Sequence, residues 1–268
     1  MNQDYWRRQE SGKPLFPDIE WSKPEQKKQR GRLLIVGGSA HGFMAVGNAY
    51  AAANAAGAGE VRVALPDVLK KSLPSDIDGV FLPTNPSGGL ARDGLDQLLA
   101  AAEWSSGIVL VGDSDQNSET AVLLEDLLGW IPDQVQDDNR WITITRDAVD
   151  LVRGMGEDLV NRNRTHLVVT FAQVQKLFQS VYYPKVLTFS QQFSTVVEAL
   201  HKFTITYPTT LTVLHNDQWI VAHNGEVITQ TDADMHSLIN GSTAARAATY
   251  LLWTPNKPLE SIVSSWQS

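Results

Sequence analysis

The feature that most constrains this chain is a repeated change of period along it. Leu33-Leu34-Ile35-Val36 runs into Gly37-Gly38-Ser39, and an alanine-rich stretch follows from Ala45 to Ala58. A short run of aliphatic residues that stops at glycines reads as a strand buried on both faces, which helices must cover. The unit recurs at Glu60-Val61-Arg62-Val63-Ala64-Leu65, which stops at Pro66, at Asp78 to Pro83, and at Gly107 to Gly112 after a helical stretch from Gly94 to Glu103. Beyond it come helix Asn117 to Leu128, strand Trp141 to Thr145, helix Asp147 to Leu151 and strand His166 to Thr170. Helices Ala172 to Phe178 and Ser190 to Phe203 and strand Thr209 to Leu214 follow. The alternation predicts an α/β fold, a doubly wound and mostly parallel sheet flanked by helices. Gln218 to Ala222 and Glu226 to Thr229 flank His223-Asn224-Gly225, and Asn-Gly suits the positive-φ positions of a type I′ hairpin turn. Leu238 to Trp253 reads as a final helix with a small-residue entrance.

With 268 residues, 43% of them hydrophobic and 19% charged, residues 32–268 suffice for one α/β domain around one sheet. Residues 1–31 carry Pro14, Pro17 and Pro24 and end in Gln26-Lys27-Lys28-Gln29-Arg30, so they read as an extended N-terminal arm. Its aromatic residues, Trp6 and Trp21 among them, leave two readings, a solvated tail anchored by one or two residues and an arm that docks onto a neighbour in a homo-oligomer. The net charge of −8 disfavours nucleic acid as a partner, because that affinity comes mainly from lysines and arginines neutralising phosphates. The absence of cysteine excludes disulfides, thiolate metal sites and a cysteine nucleophile. A polar N-terminus and the lack of any 18-residue apolar window read as a cytoplasmic protein with no membrane partner.

In an open parallel sheet the ligand crevice lies outside the carboxyl ends of the strands. That rule gathers Gly37-Gly38-Ser39, Gly112-Asp113-Ser114, Thr145-Arg146-Asp147, Thr170 and Asn240-Gly241-Ser242-Thr243 on one rim. Two of these are glycine-led helix entrances, whose N–H groups and dipole can hold a phosphate. Asp232 and Asp234 precede the last helix and read first as caps on a solvated surface. Asp137-Asp138-Asn139 reads as an exposed turn. No histidine pair has i, i+4 spacing, and no Gly-x-Ser-x-Gly elbow is present.

Taken in order, Gly31 to Trp253 resembles the nucleotide-dependent NAD(P)H-hydrate dehydratases of the ribokinase-like superfamily. The most specific match is Gly31-Arg32-Leu33-Leu34-Ile35-Val36-Gly37-Gly38-Ser39 with its alanine-rich helix and Ala56-Gly57-Ala58-Gly59 turn. Val109-Leu110-Val111-Gly112 and Ile144-Thr145-Arg146-Asp147-Ala148-Val149 are similar to two further family strands, and Leu211 to Asn216 to a third. The resemblance implies a ribokinase-like fold, a homo-oligomer, ATP or ADP with Mg²⁺, and an NAD(P)H-type ligand. It assigns Gly37, Gly38, Ser39, Asp147 and Thr170 to the substrate, and Gly241, Ser242, Thr243, His215 and Asn216 to nucleotide or phosphate.

The chain departs from the family at the residues that carry the chemistry. Gly112-Asp113-Ser114-Asp115-Gln116 stands for Gly-Pro-Gly-Leu-Gly, Thr170-Phe171-Ala172 for Thr-Pro-His, and His215-Asn216 for Lys-Gly. The Gly-Gly-Thr-Gly-Asp motif becomes Gly241-Ser242-Thr243-Ala244-Ala245, so the family's catalytic aspartate is Ala245. Positioned general-base catalysis is worth on the order of 10²- to 10⁴-fold, and alanine accepts no proton. Asp113 and Asp115 would either repel a polyphosphate or hold Mg²⁺ with it. The expectation is a catalytically impaired dehydratase-like protein that binds a nucleotide or dinucleotide. An active dehydratase or small-molecule kinase with its base relocated to Asp232 or Asp234 is one alternative, and a non-catalytic scaffold or regulatory subunit is another.

Overall fold

The computed structural model describes residues 4–74, 77–131 and 140–267; Asp137-Asp138-Asn139, expected to be a turn, lies outside them. Its strands are β1 (Trp6–Gln9), β2 (Arg32–Gly37), β3 (Glu60–Pro66), β4 (Gly79–Leu82), β5 (Gly107–Gly112), β6 (Trp141–Thr145), β7 (Thr165–Thr170), β8 (Thr210–His215), β9 (Gln218–His223) and β10 (Glu226–Gln230). The helices are α1 (Asp18–Trp21), α2 (Met44–Ala56), α3 (Leu95–Trp104), α4 (Ser118–Trp130), α5 (Asp147–Leu151), α6 (Gly156–Asn161), α7 (Phe171–Ser180), α8 (Phe193–Thr206), α9 (Met235–Ile239), α10 (Ser242–Trp253) and α11 (Pro258–Ser264).

One sheet runs in the order β1-β10-β9-β8-β7-β6-β5-β2-β3-β4. Every neighbouring pair is parallel except β8–β9 and β9–β10, which are antiparallel. The expected Asn224-Gly225 hairpin is present with both residues at positive φ (47° and 79°), and Asn216-Asp217 makes a second tight turn the same way (49° and 54°). Period-two alternation along β2 shows why its run had to be aliphatic throughout. Leu34 and Val36 pack on one face into a core shared with α3, α4, α7 and α8. Leu33 and Ile35 pack on the other against α2 and α10. Full burial of each such side chain contributes about 1.5–3 kcal/mol. On this second face, alanines of α2 and α10 (Ala45, Ala49, Ala53, Ala244, Ala245, Ala248) let the two helices approach closely.

Three expectations need correction. Leu238 to Trp253 is two helices, because Gly241 takes a left-handed conformation (φ 80°) that ends α9 and starts α10 in a new direction. A further helix, α11, follows, with Pro258 in its first turn. Residues 1–31 are not only an extended arm. Trp6–Gln9 adds to the sheet as β1, parallel to β10, and Trp6 Nε1 donates to Thr229 Oγ1 at 3.0 Å. Ile19 of α1 is buried with Ala56 and Tyr250, and Lys23 Nζ bonds the Ala56 carbonyl at the end of α2. Trp6 therefore finds its surface within its own chain, whereas Trp21 stays 87% exposed. No helix among the described residues is long and apolar enough to cross a membrane.

The second face also buries charge-capable groups. His166 on β7 is fully buried, with Nε2 hydrogen-bonded to Thr212 Oγ1 at 2.8 Å, and burial with nearby His223 lowers its pKa to about 3. Burial lowers the pKa values of His215 and His223 as well. A depressed folded-state pKa means that the unfolded chain takes up the proton first, so stability is complete above about pH 6.5 and falls as the pH drops towards 3. Between pH 6.5 and 5, where most carboxylates remain ionised, His166 alone should cost about 2 kcal/mol. Urea unfolding of the native chain and His166→Gln across this range should give a steeper acid loss in the native chain, and parallel pH profiles would contradict the assignment.

Candidate functional site

The strand order reverses direction at β2, which lies between β5 on one side and β3 on the other. This switch point opens a crevice at the carboxyl ends of β2 and β5, because the connections that follow them leave to opposite faces. The loops Gly37-Gly38-Ser39 and Gly112-Asp113-Ser114 meet there, and Gly38 N–H donates to the Gly112 carbonyl at 2.8 Å.

Asp147, at the start of α5, organises the rim. Its carboxylate accepts the backbone N–H groups of Asp113 (3.0 Å) and Ser114 (3.2 Å), clamping the β5 loop to β6. Gly112 is required beside it, since a Cβ there would lie 2.0 Å from Asp147 Oδ1. Asp113 then turns its own carboxylate to the N–H of Ala45 at the entrance of α2 (2.8 Å) and to the Arg146 guanidinium. Arg146 also donates through Nε to the Val111 carbonyl at 3.2 Å, so its side chain lies along the end of β5. The backbone of Arg146 sits at φ 57°, ψ −141°, a region that side chains strongly disfavour. Its carbonyl is held by Gln173 Nε2 at 2.7 Å, and Gln173 belongs to a capping box with Thr170 at the entrance of α7. Asp115, at φ 50°, meets His41 Nδ1 at 2.8 Å and ties the β2 loop to the β5 loop.

Three adjoining cavities surround α5. One of about 430 Å³ is lined by Ser39, His41, Asp113, Asp115 and Gln116, together with Arg146 and Asp147. A second, about 420 Å³, shares Arg146 and Asp147 and reaches Thr170, Lys176, Leu238 and Ile239. A third, about 270 Å³, shares Gln116 with the first and Asp150 and Lys176 with the second. Asp150 accepts from Gln173 (3.1 Å) and Lys176 (3.0 Å), and Arg153 lies 3.9 Å away.

The expected rim residues divide into two groups. Ser39, Asp113, Asp115, Asp147 and Thr170 line these cavities. Gly37 and Gly38 shape the loop below them, where a Cβ on Gly37 would meet the Gly112 carbonyl at 2.3 Å. The expected phosphate-binding set lies elsewhere. Ser242 N–H is taken by Asn240 Oδ1 at 2.9 Å, and Thr243 Oγ1 pairs with Ser237 at 2.7 Å. Gly241 packs so closely on Val111 that a Cβ would come within 2.5 Å of it. Ala245 is fully buried in the apolar cluster that includes Ala45, Val109 and Val111. His215 is buried and stacked on Phe171 at 4.2 Å, and burial lowers its pKa from the ordinary histidine value. Asn216 is spent on the β8–β9 turn.

Asp234 is the N-cap of α9, accepting from the N–H groups of His236 and Ser237, as the first reading of this acid pair has it, and Asp232 accepts from Thr231 Oγ1. Asp113 and Asp115 each face a separate partner, and among the described residues no group of three His, Asp or Glu side chains is arranged to hold a metal ion. These residues do not fit a protein-held Mg²⁺. The sequence puts Arg146 and Gln116 near the rim without a role, and nothing in it places His41, Asp150, Gln173 and Lys176 there. The Thr170-x-x-Gln173 capping box was a readable signal, whereas Arg146 owes its placement to a backbone conformation that no residue type announces.

No protein-family model and no curated protein matches the sequence. Solved structures do match the fold. A ribokinase-like superfamily protein from Enterococcus faecalis V583 superposes with a TM-score of 0.71 at 14% identity, covering 100% of this chain and 87% of that one. A hypothetical protein from Streptococcus mutans gives 0.67 at 15%, with 92% and 84% covered. The ADP/ATP-dependent NAD(P)H-hydrate dehydratase from Bacillus subtilis, co-crystallized with ATP and Mg²⁺ and soaked with CoA, gives 0.57 at 13%, with 96% and 87% covered. At such identities the likeness establishes the fold, which is ribokinase-like.

The Arg146–Asp113 pair is largely shielded, with side chains 21% and 17% exposed. Removing either partner leaves the other charge poorly solvated, so Asp113→Asn and Arg146→Gln should each destabilise the protein by about 1–3 kcal/mol. The double variant should lose markedly less than the sum in a urea-unfolding cycle. Additive losses would show that the two side chains do not act as a pair.

Proposed function

We propose that this chain is a dehydratase-like member of the ribokinase-like superfamily that binds a nucleotide or dinucleotide at the β2–β5 rim but has lost phosphoryl-transfer chemistry of the family type. The observation that carries this reading is the environment of Ala245. The residue aligned with the family's base is alanine, and the position faces the packed α2–α10 interface rather than a cavity. At the same helix entrance, side chains of the chain itself already engage Ser242 N–H and the Thr243 hydroxyl. Likeness of fold to a dehydratase crystallised with ATP and Mg²⁺ supports a small-molecule ligand at the carboxyl ends of the strands. In this reading the rim binds and orients, and no side chain at position 245 removes a proton.

Purified protein supplied with NAD(P)H hydrate and either ATP or ADP should show no recovery of reduced-nicotinamide absorbance, while a thermal-shift panel of ATP, ADP, NADH and NADPH should show stabilisation by at least one ligand. Turnover at an enzymatic rate would overturn the loss of chemistry, and an unmoved melting temperature across the panel would favour the scaffold reading. Ala245→Asp should not restore activity, because a carboxylate placed among Ala45, Val109 and Val111 loses solvation without a partner, at a cost of several kcal/mol. A folded and active Ala245→Asp variant would show that the base alone was missing.

A further inference from the structure

The three cavities around α5 differ in charge. The first presents three carboxylates, Asp113, Asp115 and Asp147, against the single guanidinium of Arg146. Both oxygens of Asp113 and of Asp147 are engaged by the protein, whereas Asp115 uses only Oδ2, on His41, and Gln116 lines the wall beside it. This end has acceptors for hydroxyl groups and repels an anion. The third cavity is the reverse. Lys176 and Arg153 line it with Asp150 as the one carboxylate between them, and both cations are about half exposed, leaving donors free for a ligand. Gln116 belongs to both ends, and Asp147 and Asp150 are one helical turn apart on α5, about 5–6 Å between Cβ atoms.

We propose that this crevice takes a small phosphorylated polyol, with its hydroxyls against Asp115 and Gln116 and its phosphate between Lys176 and Arg153. A phosphate and a diol carried on one small skeleton match this separation of cations from carboxylate acceptors, a chemistry that sugar phosphates and nucleoside monophosphates share. The inference rests on the preceding reading only in taking the same rim as the ligand site. It moves the phosphate from the α10 entrance, where Asn240 already holds an N–H, to the far side of α5.

Titration calorimetry with ribose 5-phosphate, adenosine 5′-monophosphate, ribose and inorganic phosphate tests it. At least one phosphorylated polyol should bind about tenfold or more tightly than ribose or phosphate alone, the gain expected of a charge-assisted hydrogen bond. Lys176→Gln and Arg153→Gln, both changes at the surface, should remove that gain and leave ribose binding as it was. Asp115→Asn should weaken the phosphorylated polyol and ribose but not inorganic phosphate. Which of the two phosphorylated probes binds more tightly decides between a sugar phosphate and a nucleoside monophosphate. Failure of both to bind, or affinities indifferent to Lys176→Gln and Arg153→Gln, would overturn the proposal. If NADH or NADPH binds and neither phosphorylated probe does, this inference alone falls. If ribose 5-phosphate binds and no nucleotide does, the nucleotide reading falls and this one stands.

Discussion

The rim depends on the carboxylate of Asp147. Two backbone N–H groups of the β5 loop have no strand partner once Gly112 turns out of the sheet at φ 85°, and Asp147 accepts both. That contact fixes the loop in a conformation where Asp113 must point at α2 and Arg146. The Arg146–Asp113 ion pair, the cap on the Ala45 N–H and the contact from Arg146 to the Val111 carbonyl all follow from it. Three non-glycine residues at positive φ, Asp113, Asp115 and Arg146, are gathered in this small region. Each such conformation costs on the order of 1–3 kcal/mol, which the surrounding hydrogen bonds must offset. Strain concentrated at a topological switch point, among charged residues lining cavities, is what makes this rim the candidate site.

Much of the architecture was legible because parallel strands buried on both faces admit little besides aliphatic residues. Leu33 to Val36 and Ile108 to Val111 could hardly have been anything else, and strand Trp141 to Thr145 and helix Asp147 to Leu151 fall where the pattern places them. The amphipathic edges were harder. Trp6–Gln9 has a single polar-rich turn's length, and only the exposed edge of β10 gives it a partner, so its strand character is a tertiary effect. Gly241 inside a helical pattern could have been a tolerated glycine or a break, and its positive φ settles it as a break.

The site was legible in part. Strand ends and glycines located the rim, and Asp147 was identified through its place in a recognised strand, but the roles of Asp113 and Arg146 were not. A carboxylate near an expected phosphate position looks repulsive when its counter-charge is 33 residues away in sequence and becomes adjacent only across two parallel strands. Likewise, the N-terminus of α10 looks like an anion site until Asn240 and Ser237 are seen to occupy its donors.

The most direct measurement is a crystal structure of the protein with adenosine 5′-monophosphate or NADPH. A phosphate group beside Lys176 and Arg153, with the α10 entrance still closed by Asn240 and Ala245 still buried, is the predicted result. A phosphate seated on the N–H groups of Ser242 and Thr243, with Asn240 displaced, would contradict it and return the site to the family's arrangement.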